Sequence, residues 1–387
     1  MANSESRKLA DISDELLLSL RSEFAATAAE HDEQATFPHA NFKRLAELDL
    51  LALTVPKDYG GLGGGLKDAA RVIGAVAAGD ASTGLLLAMN YLAHHVLAQT
   101  PPIHYAAIAR SAVEGRGIMN GLQAEPELGA AIRGGLPVTV ALPQADGNWS
   151  VNGRKAYATG SPIVNWWLAM ARSGTDDAPL LGTVLIPGDA PGFTITPNWN
   201  HTGLRATASH ELQLKDIVVP VENVLGFYPP GAPELKARQE RVQVWNGVLL
   251  AALYDGVARA GRDWLIAFLH ERKPSSLGAA LASVPRLQGV VGEIDTLLLI
   301  NRTLIEDTAQ RADTAVVLDP VRAQQIKHIV TENALRALDL GVSISGNHGL
   351  NRANPLERHY RDALCGRVHA PQADVVLLNV GKAALGV

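Results

Sequence analysis

The chain has 387 residues, 47% of them hydrophobic and 19% charged, with a formal charge of −5 at neutral pH. That composition excludes a disordered chain and supplies cores for two or three domains. An acidic balance without a basic, aromatic-interleaved stripe argues against nucleic acid as a partner, and a single cysteine excludes an internal disulfide framework and thiolate metal sites. The opening MANSESRKLADISDELLLSL lacks a secretory apolar run, and NGVLLAALYDGVA is too short for a membrane span. A cytoplasmic protein without a membrane partner is expected.

From about 7 to 110 the pattern predicts helices. ISDELLLSLRSEFAATAAEHDE and FKRLAELDLLALTV place apolar residues three and four apart. LKDAARVIGAVAAGDASTGLLLAMNYLAHHVLAQ carries so few charges that burial among other helices is expected, until TPP breaks it. From about 117 to 226, PVTVAL, WSVNGRKAYAT, WWLAMAR, GTVLIPG, GFTITPNW and HELQLKDIVVP alternate with Gly, Pro, Asn and Asp. Such short strands at regular intervals predict a β-barrel or sandwich. Helical patterns return at about 235–272, 285–312, 320–343 and 370–386, which predicts a four-helix bundle. The fold class is therefore α+β multidomain: a helical domain over 1–116, a middle β-barrel over 117–228 and the bundle over 229–387.

Most local motifs carry little chemistry. GGLGGG at 60–65 has Leu66 where a GxGxxG counted from Gly61 needs its third glycine, and it lies in a helical zone, so a turn is expected. His94 and His95 are adjacent and face different directions on a helix, with no HExxH nearby, so no metal site is predicted. No GxSxG elbow marks a hydrolase. Asp313 and Asp319 read as helix caps. Glu240 opens the longest helix ahead of an apolar run. Facing inward, it would be a proton acceptor with a raised pKa; facing out, it would complement the helix dipole. ERHYRDALCGRVHAPQAD at 357–374 concentrates acids, arginines, two histidines and the lone Cys365.

Longer stretches resemble the acyl-CoA dehydrogenase family. LLALTVPKDYGGLG matches the family's opening, and AEPELG is a degraded Thr-Glu-Pro-x-x-Gly-Ser-Asp. WSVNGRKAYATGSPIVNWW and GLRATASHELQLKDIVVPVENVLG follow its two middle signatures, and SGNHGL and PLERHYRDA its C-terminal one. The resemblance runs in order along nearly the whole chain. It implies FAD between the β domain and the bundle of a homotetramer. Leu122, Gln123 and Ala124 would offer backbone groups to the flavin, Tyr157 would pack on it, and Thr159 would bond near its N5. Arg272 and Gly346 would reach the FAD of a neighbouring subunit. Ala124 and Ala130 replace the family's Thr and Ser. Most members abstract an α proton from an acyl-CoA with an acid where this chain has Ala370. A subset uses a Glu-Arg pair, here Glu240-Arg241, which makes Glu240 the base and Arg241, His369 and Ala370 walls of the substrate cleft. Electrons would then pass to an electron-transfer flavoprotein. The same fold also serves monooxygenases that take reduced flavin from a separate reductase, often with a His matching His369; a third reading is a non-catalytic homologue that binds flavin or acyl-CoA.

Overall fold

The computed structural model describes residues 8–127, 135–314 and 319–386. Helix α1, Asp14–Gln34, starts where the Ser13 hydroxyl accepts the Leu16 amide at 3.1 Å and stops at Ala35, which is left-handed with φ 51°. Helices α2 (His39–Glu47), α3 (Leu66–Gly79), α4 (Ala81–Gln99) and α5 (Tyr105–Val113) complete the first zone. The glycine run is the expected turn, with Gly60 at φ 86° and Gly63 at φ 65°. The free amides that would attract an anion at the start of α3 are occupied. Asp313, at the end of α7 (Pro285–Asp313), accepts from Leu66 and Lys67 at 2.7 and 2.9 Å. Asp313 is thus a cap, but of a helix 247 residues away in sequence. Asp319 caps its own helix, α8 (Pro320–Ser345), through the Val321 amide at 2.9 Å.

Strands β1 (Met119–Leu122), β2 (Val140–Pro143), β3 (Trp149–Ala158), β4 (Trp166–Gly174), β5 (Pro179–Pro187), β6 (Phe193–Thr196), β7 (His210–Val219) and β8 (Val224–Tyr228) form one sheet. Its order is β6-β7-β3-β2-β4-β5-β8, with β1 parallel to β4. Among the described residues β6 and β8 do not pair, so this central domain is an eight-stranded sheet with two open edges. Two of the sequence signatures meet inside it. Lys155 and Glu125, both fully buried, form an ion pair at 2.7 Å. Glu125 also accepts the Val138 and Thr139 amides, and Lys155 donates to the Met170 carbonyl at 2.6 Å. Burial favours the neutral Glu125, but Lys155 and these donors outweigh it and hold the carboxyl below its usual range.

The C-terminal zone contains α6 (Pro233–Glu271), α7, α8, α9 (Pro355–Val368) and α10 (Ala373–Leu385). Proline opens each of α6 to α9, where its missing N–H costs nothing. Helix α9 departs from the four expected segments. Arg358, His359 and Asp362 are among its buried residues, so its buried face is not an apolar stripe and the helical period is hidden. Helices α6 and α8 run parallel, with Gly247 against Ala323 and Gly261 against Leu338, while α7 returns antiparallel between them through Arg262–Asp295 and Arg336–Glu293. One hydrophobic core runs through all three zones, from Leu17 and Phe24 through Trp167 to Tyr254 and Leu356, and a second joins Val55 and Tyr105 to Met119 and Leu185. No helix among the described residues is long and apolar enough to cross a membrane.

Candidate functional site

The β3 strand breaks its ladder with β7 between Lys155 and Ala158. At that bulge Tyr157 takes φ 57°, an uncommon backbone for a bulky aromatic, and the residue is 60% exposed. Trp199 and His201 stack at 3.7 Å and meet Tyr157 edge-on at 6.4 and 6.2 Å. The Trp199 indole N–H donates to the Leu204 carbonyl at 3.0 Å, and its amide to His210 Nδ1 at 3.0 Å. Sequence reasoning took this stretch as the end of a strand and missed the pair. The available signal was its aromatic content, NWNH at 198–201.

Thr159 is buried two residues beyond Tyr157, within a chain of hydroxyls. Its Oγ1 lies 2.8 Å from Ser209 Oγ, which lies 2.7 Å from Thr207 Oγ1, which lies 2.9 Å from the Leu204 carbonyl. A carbonyl only accepts, so Thr207 donates to it, Ser209 to Thr207, and Thr159 to Ser209. Thr159 is left offering lone pairs, suited to an incoming N–H. At the neighbouring edge Leu122 is buried and Gln123 exposed. The Ala124 carbonyl already accepts the Ala156 amide at 2.9 Å. Ala130 lies outside the described residues.

The loop that carries Trp199 and His201 is anchored by α9. Arg361 binds Glu357 at 2.7 Å, Asp32 of α1 at 2.6 Å and the Thr202 carbonyl at 2.7 Å, so one guanidinium ties the three zones together. Asp362 accepts the Leu204 amide at 2.7 Å. Burial pushes the Asp362 carboxyl up to about 7. The charged half of ERHYRDALCGRVHAPQAD is therefore scaffold. Cys365 is half-buried and its thiol is raised to about 12 by burial, which leaves it unreactive.

The other half forms a turn against the bundle. The Ala370 carbonyl accepts from Asn246 at 3.1 Å, and His369 Nδ1 lies 2.5 Å from the Tyr254 hydroxyl. Burial raises the Tyr254 hydroxyl well above its ordinary range, so it stays protonated, and among the described residues His369 Nδ1 is the acceptor within its reach; donation to Nδ1 is the assignment that satisfies both groups. His369 then keeps its proton on Nε2, and burial followed by the nearby Lys327 charge lowers its pKa to about 4. It is a neutral N–H donor rather than a base at neutral pH.

Asn246 and Tyr254 lie on α6, the helix that carries Glu240 and Arg241. Glu240 is half-buried, and its side chain makes no hydrogen bond or ion pair among the described residues. Arg241 is exposed. Burial, and after it the Arg241 charge, lowers His95 to about 4. His95 stacks on Trp245 at 3.9 Å and lines a cavity of about 480 Å³ with Thr54, Lys57, Asp58 and Gly63. His94 faces away into the core, its two ring nitrogens buried without a hydrogen-bond partner among the described residues.

Arg272 and Gly346 gather elsewhere. Arg272 ends α6, 32 residues from Glu240, which is about 48 Å at 1.5 Å per residue. Gly346 ends the parallel α8, and the Phe268–His348 ring contact at 5.1 Å places both at the far end of the bundle. Gly346 has φ 58° and ψ −141°, a region reserved for glycine, with open space where a side chain would stand. These two residues cannot serve the cleft beside Glu240 within one chain.

Models of the acyl-CoA dehydrogenase N-terminal, middle and C-terminal domains match residues 9–105, 123–217 and 248–372. The chain belongs to the acyl-CoA dehydrogenase family. Among its relatives is the Bacillus subtilis (strain 168) protein named "Putative acyl-CoA dehydrogenase YdbM", 34% identical over 94% of this chain and 93% of that protein. L-evernosamine nitrososynthase of a Micromonospora species is 29% identical over 93% and 86% of the two chains. The structure of KijD3 in complex with FMN and a dTDP-amino-keto sugar superposes with a TM-score of 0.83 at 27% identity, covering 97% and 95%. The family thus includes flavoproteins of more than one chemistry. The residues present fit a flavin: an exposed aromatic face at Tyr157, a hydroxyl acceptor at Thr159 and an open glycine backbone at Gly346.

Proposed function

We propose that this family member is a flavin-dependent monooxygenase, receiving reduced flavin from a separate reductase and oxygenating a small nitrogen, sulfur or aromatic compound. The observation that carries this is the 369–371 turn. Where the dehydrogenases place a catalytic acid, this chain has Ala370, flanked by a neutral His369 whose Nδ1 meets the Tyr254 hydroxyl; with Tyr254 as donor, the ring's proton stands on Nε2. Bound reduced flavin would supply the two electrons that divide O₂, one atom entering the substrate and the other leaving as water. The chain's part is positioning and polarity. Tyr157 covers a ring face, Thr159 accepts an N–H, the His369 Nε2–H stabilises negative charge growing on oxygen, and Arg241 with the His95–Trp245 stack walls the cleft. FAD is the flavin in this proposal. Arg272 and Gly346 of a second copy hold its far half within a homotetramer, in accord with their separation from the cleft. The relatives that make nitroso compounds favour the nitrogen branch.

The unpartnered Glu240 favours a second reading: α,β-dehydrogenation of an acyl-CoA, with Glu240 as base and electrons passed to an electron-transfer flavoprotein. One experiment separates the two. Reduced flavin and oxygen with a panel of amines and sulfides should yield oxygenated product, lost in His369→Ala and kept in Glu240→Gln. Anaerobic bleaching of bound flavin by an acyl-CoA, abolished by Glu240→Gln, would overturn the proposal and establish the second reading.

A further inference from the structure

Lys327 of α8 is 2% exposed, and no carboxylate pairs with it among the described residues. Its ammonium instead donates to the Gly366 carbonyl at 2.6 Å, the His369 carbonyl at 2.6 Å and the Pro371 carbonyl at 3.1 Å. Three donors meet three acceptors, which is full satisfaction for an ammonium. Two of those carbonyls lie at the C-terminus of α9, where the helix dipole favours a cation. The third lies across the Ala370–Pro371 bond, so a single atom ties the end of the helix to the turn beyond it.

We infer that Lys327 is a positioning residue of the 369–371 turn: its ammonium fixes the backbone from which His369 is presented to Tyr254 and to the cleft. Asn246 holds the fourth carbonyl of the segment, Ala370, from α6, so the turn is clamped from two helices. A hydrocarbon side chain at 327 would pack in the same space but leave three buried carbonyls without donors. The groups that bear on the His369 ring are Tyr254 on α6 and Lys327 on α8; behind them, Asp362 and Cys365 of α9 act on Tyr254, and Glu332 of α8 acts on Lys327. Glu332 is paired with Arg367 at 2.7 Å, which leaves Lys327 as the charge that bears on the ring.

The functional part of this inference rests on the proposed role of His369; the positioning part does not. The test uses the full chain as Lys327→Met and Lys327→Arg, each compared with wild type by amide exchange and by NMR titration of His369, its signal identified by loss in His369→Gln. In Lys327→Met, amides 366–373 should exchange at least about tenfold faster while α6 keeps its protection. The His369 titration should move upward. Lys327→Arg should restore both. Turnover should fall in kcat by about tenfold or more in Lys327→Met, with the reduced-flavin dissociation constant within about twofold of wild type. Unchanged exchange and an unchanged His369 titration in Lys327→Met would overturn the inference. Absence of turnover in every form, with exchange and titration behaving as stated, would instead remove the monooxygenase reading and leave Lys327's role standing. Should Lys327→Met not fold, Lys327→Gln, which keeps two donors, carries the same comparisons.

Discussion

Two lysines of this protein are equally hidden and differently employed. Lys155 sits in the sheet against Glu125, charge on charge, with the Met170 carbonyl accepting a second bond. Lys327 sits among helices against carbonyls alone. Burial lowers both pKa values, but Glu125 opposes the shift at Lys155, while Lys327 falls to about 8. A base lowered on folding binds fewer protons than the unfolded chain above its folded pKa, so stability linked to Lys327 rises between pH 8 and its ordinary value of 10.5. Its charged form at neutral pH therefore costs stability. The difference teaches where to look for function: the paired lysine is a staple, and the unpaired one holds a turn beside the cleft.

The largest expected effect is at the buried Lys155–Glu125 pair. Lys155→Met leaves a buried carboxylate alone and should destabilise by about 3–5 kcal/mol in urea unfolding. Glu125→Gln in the same background should recover part of that loss. Additive losses in the double variant would mean the two residues are not coupled.

Asp362 sharpens the comparison from the acidic side, with a smaller effect of opposite sign. Its folded pKa of about 7 stands above the ordinary 3.8, so the native state holds a proton that the unfolded state has released. The stability it contributes is full below pH 3.8 and is lost as pH rises through 7. Asp362→Asn keeps an acceptor for the Leu204 amide and should flatten the fall in melting temperature between pH 4 and 7. An unaltered slope would place the titration elsewhere.

The smallest expected effect is at Tyr254. Tyr254→Phe removes the donor to His369 Nδ1 and should cost about 1 kcal/mol. The His369 ring should then lose its fixed tautomer, visible in its ¹⁵N shifts. Shifts identical to wild type would show that the turn, rather than Tyr254, sets the tautomer.

Much of this was legible in the primary structure because local signals agreed with the fold. Turn residues between β-branched runs gave β3 to β7, and Glu240-Arg241 stood out at the head of a long helix. Helix α9 was not legible, since its buried face carries Arg358, His359 and Asp362, whose partners lie far away in the chain. Trp199 and His201 escaped notice because an aromatic pair in a loop has no period.

By itself, the sequence determined the order of helical, strand and helical zones and the family, and its resemblance pointed to Ala370 in the place of the usual acid. Those follow from periodicity, turn chemistry and motifs, all of which are local in the chain. Tertiary structure alone decided that Asp313 caps α3, that Thr159 is an acceptor, that His369 is held neutral against Tyr254, and that Arg272 and Gly346 stand about 48 Å from Glu240's end of α6. Each of these depends on which groups face one another across the fold, and proton placement and desolvation follow from that meeting rather than from residue type.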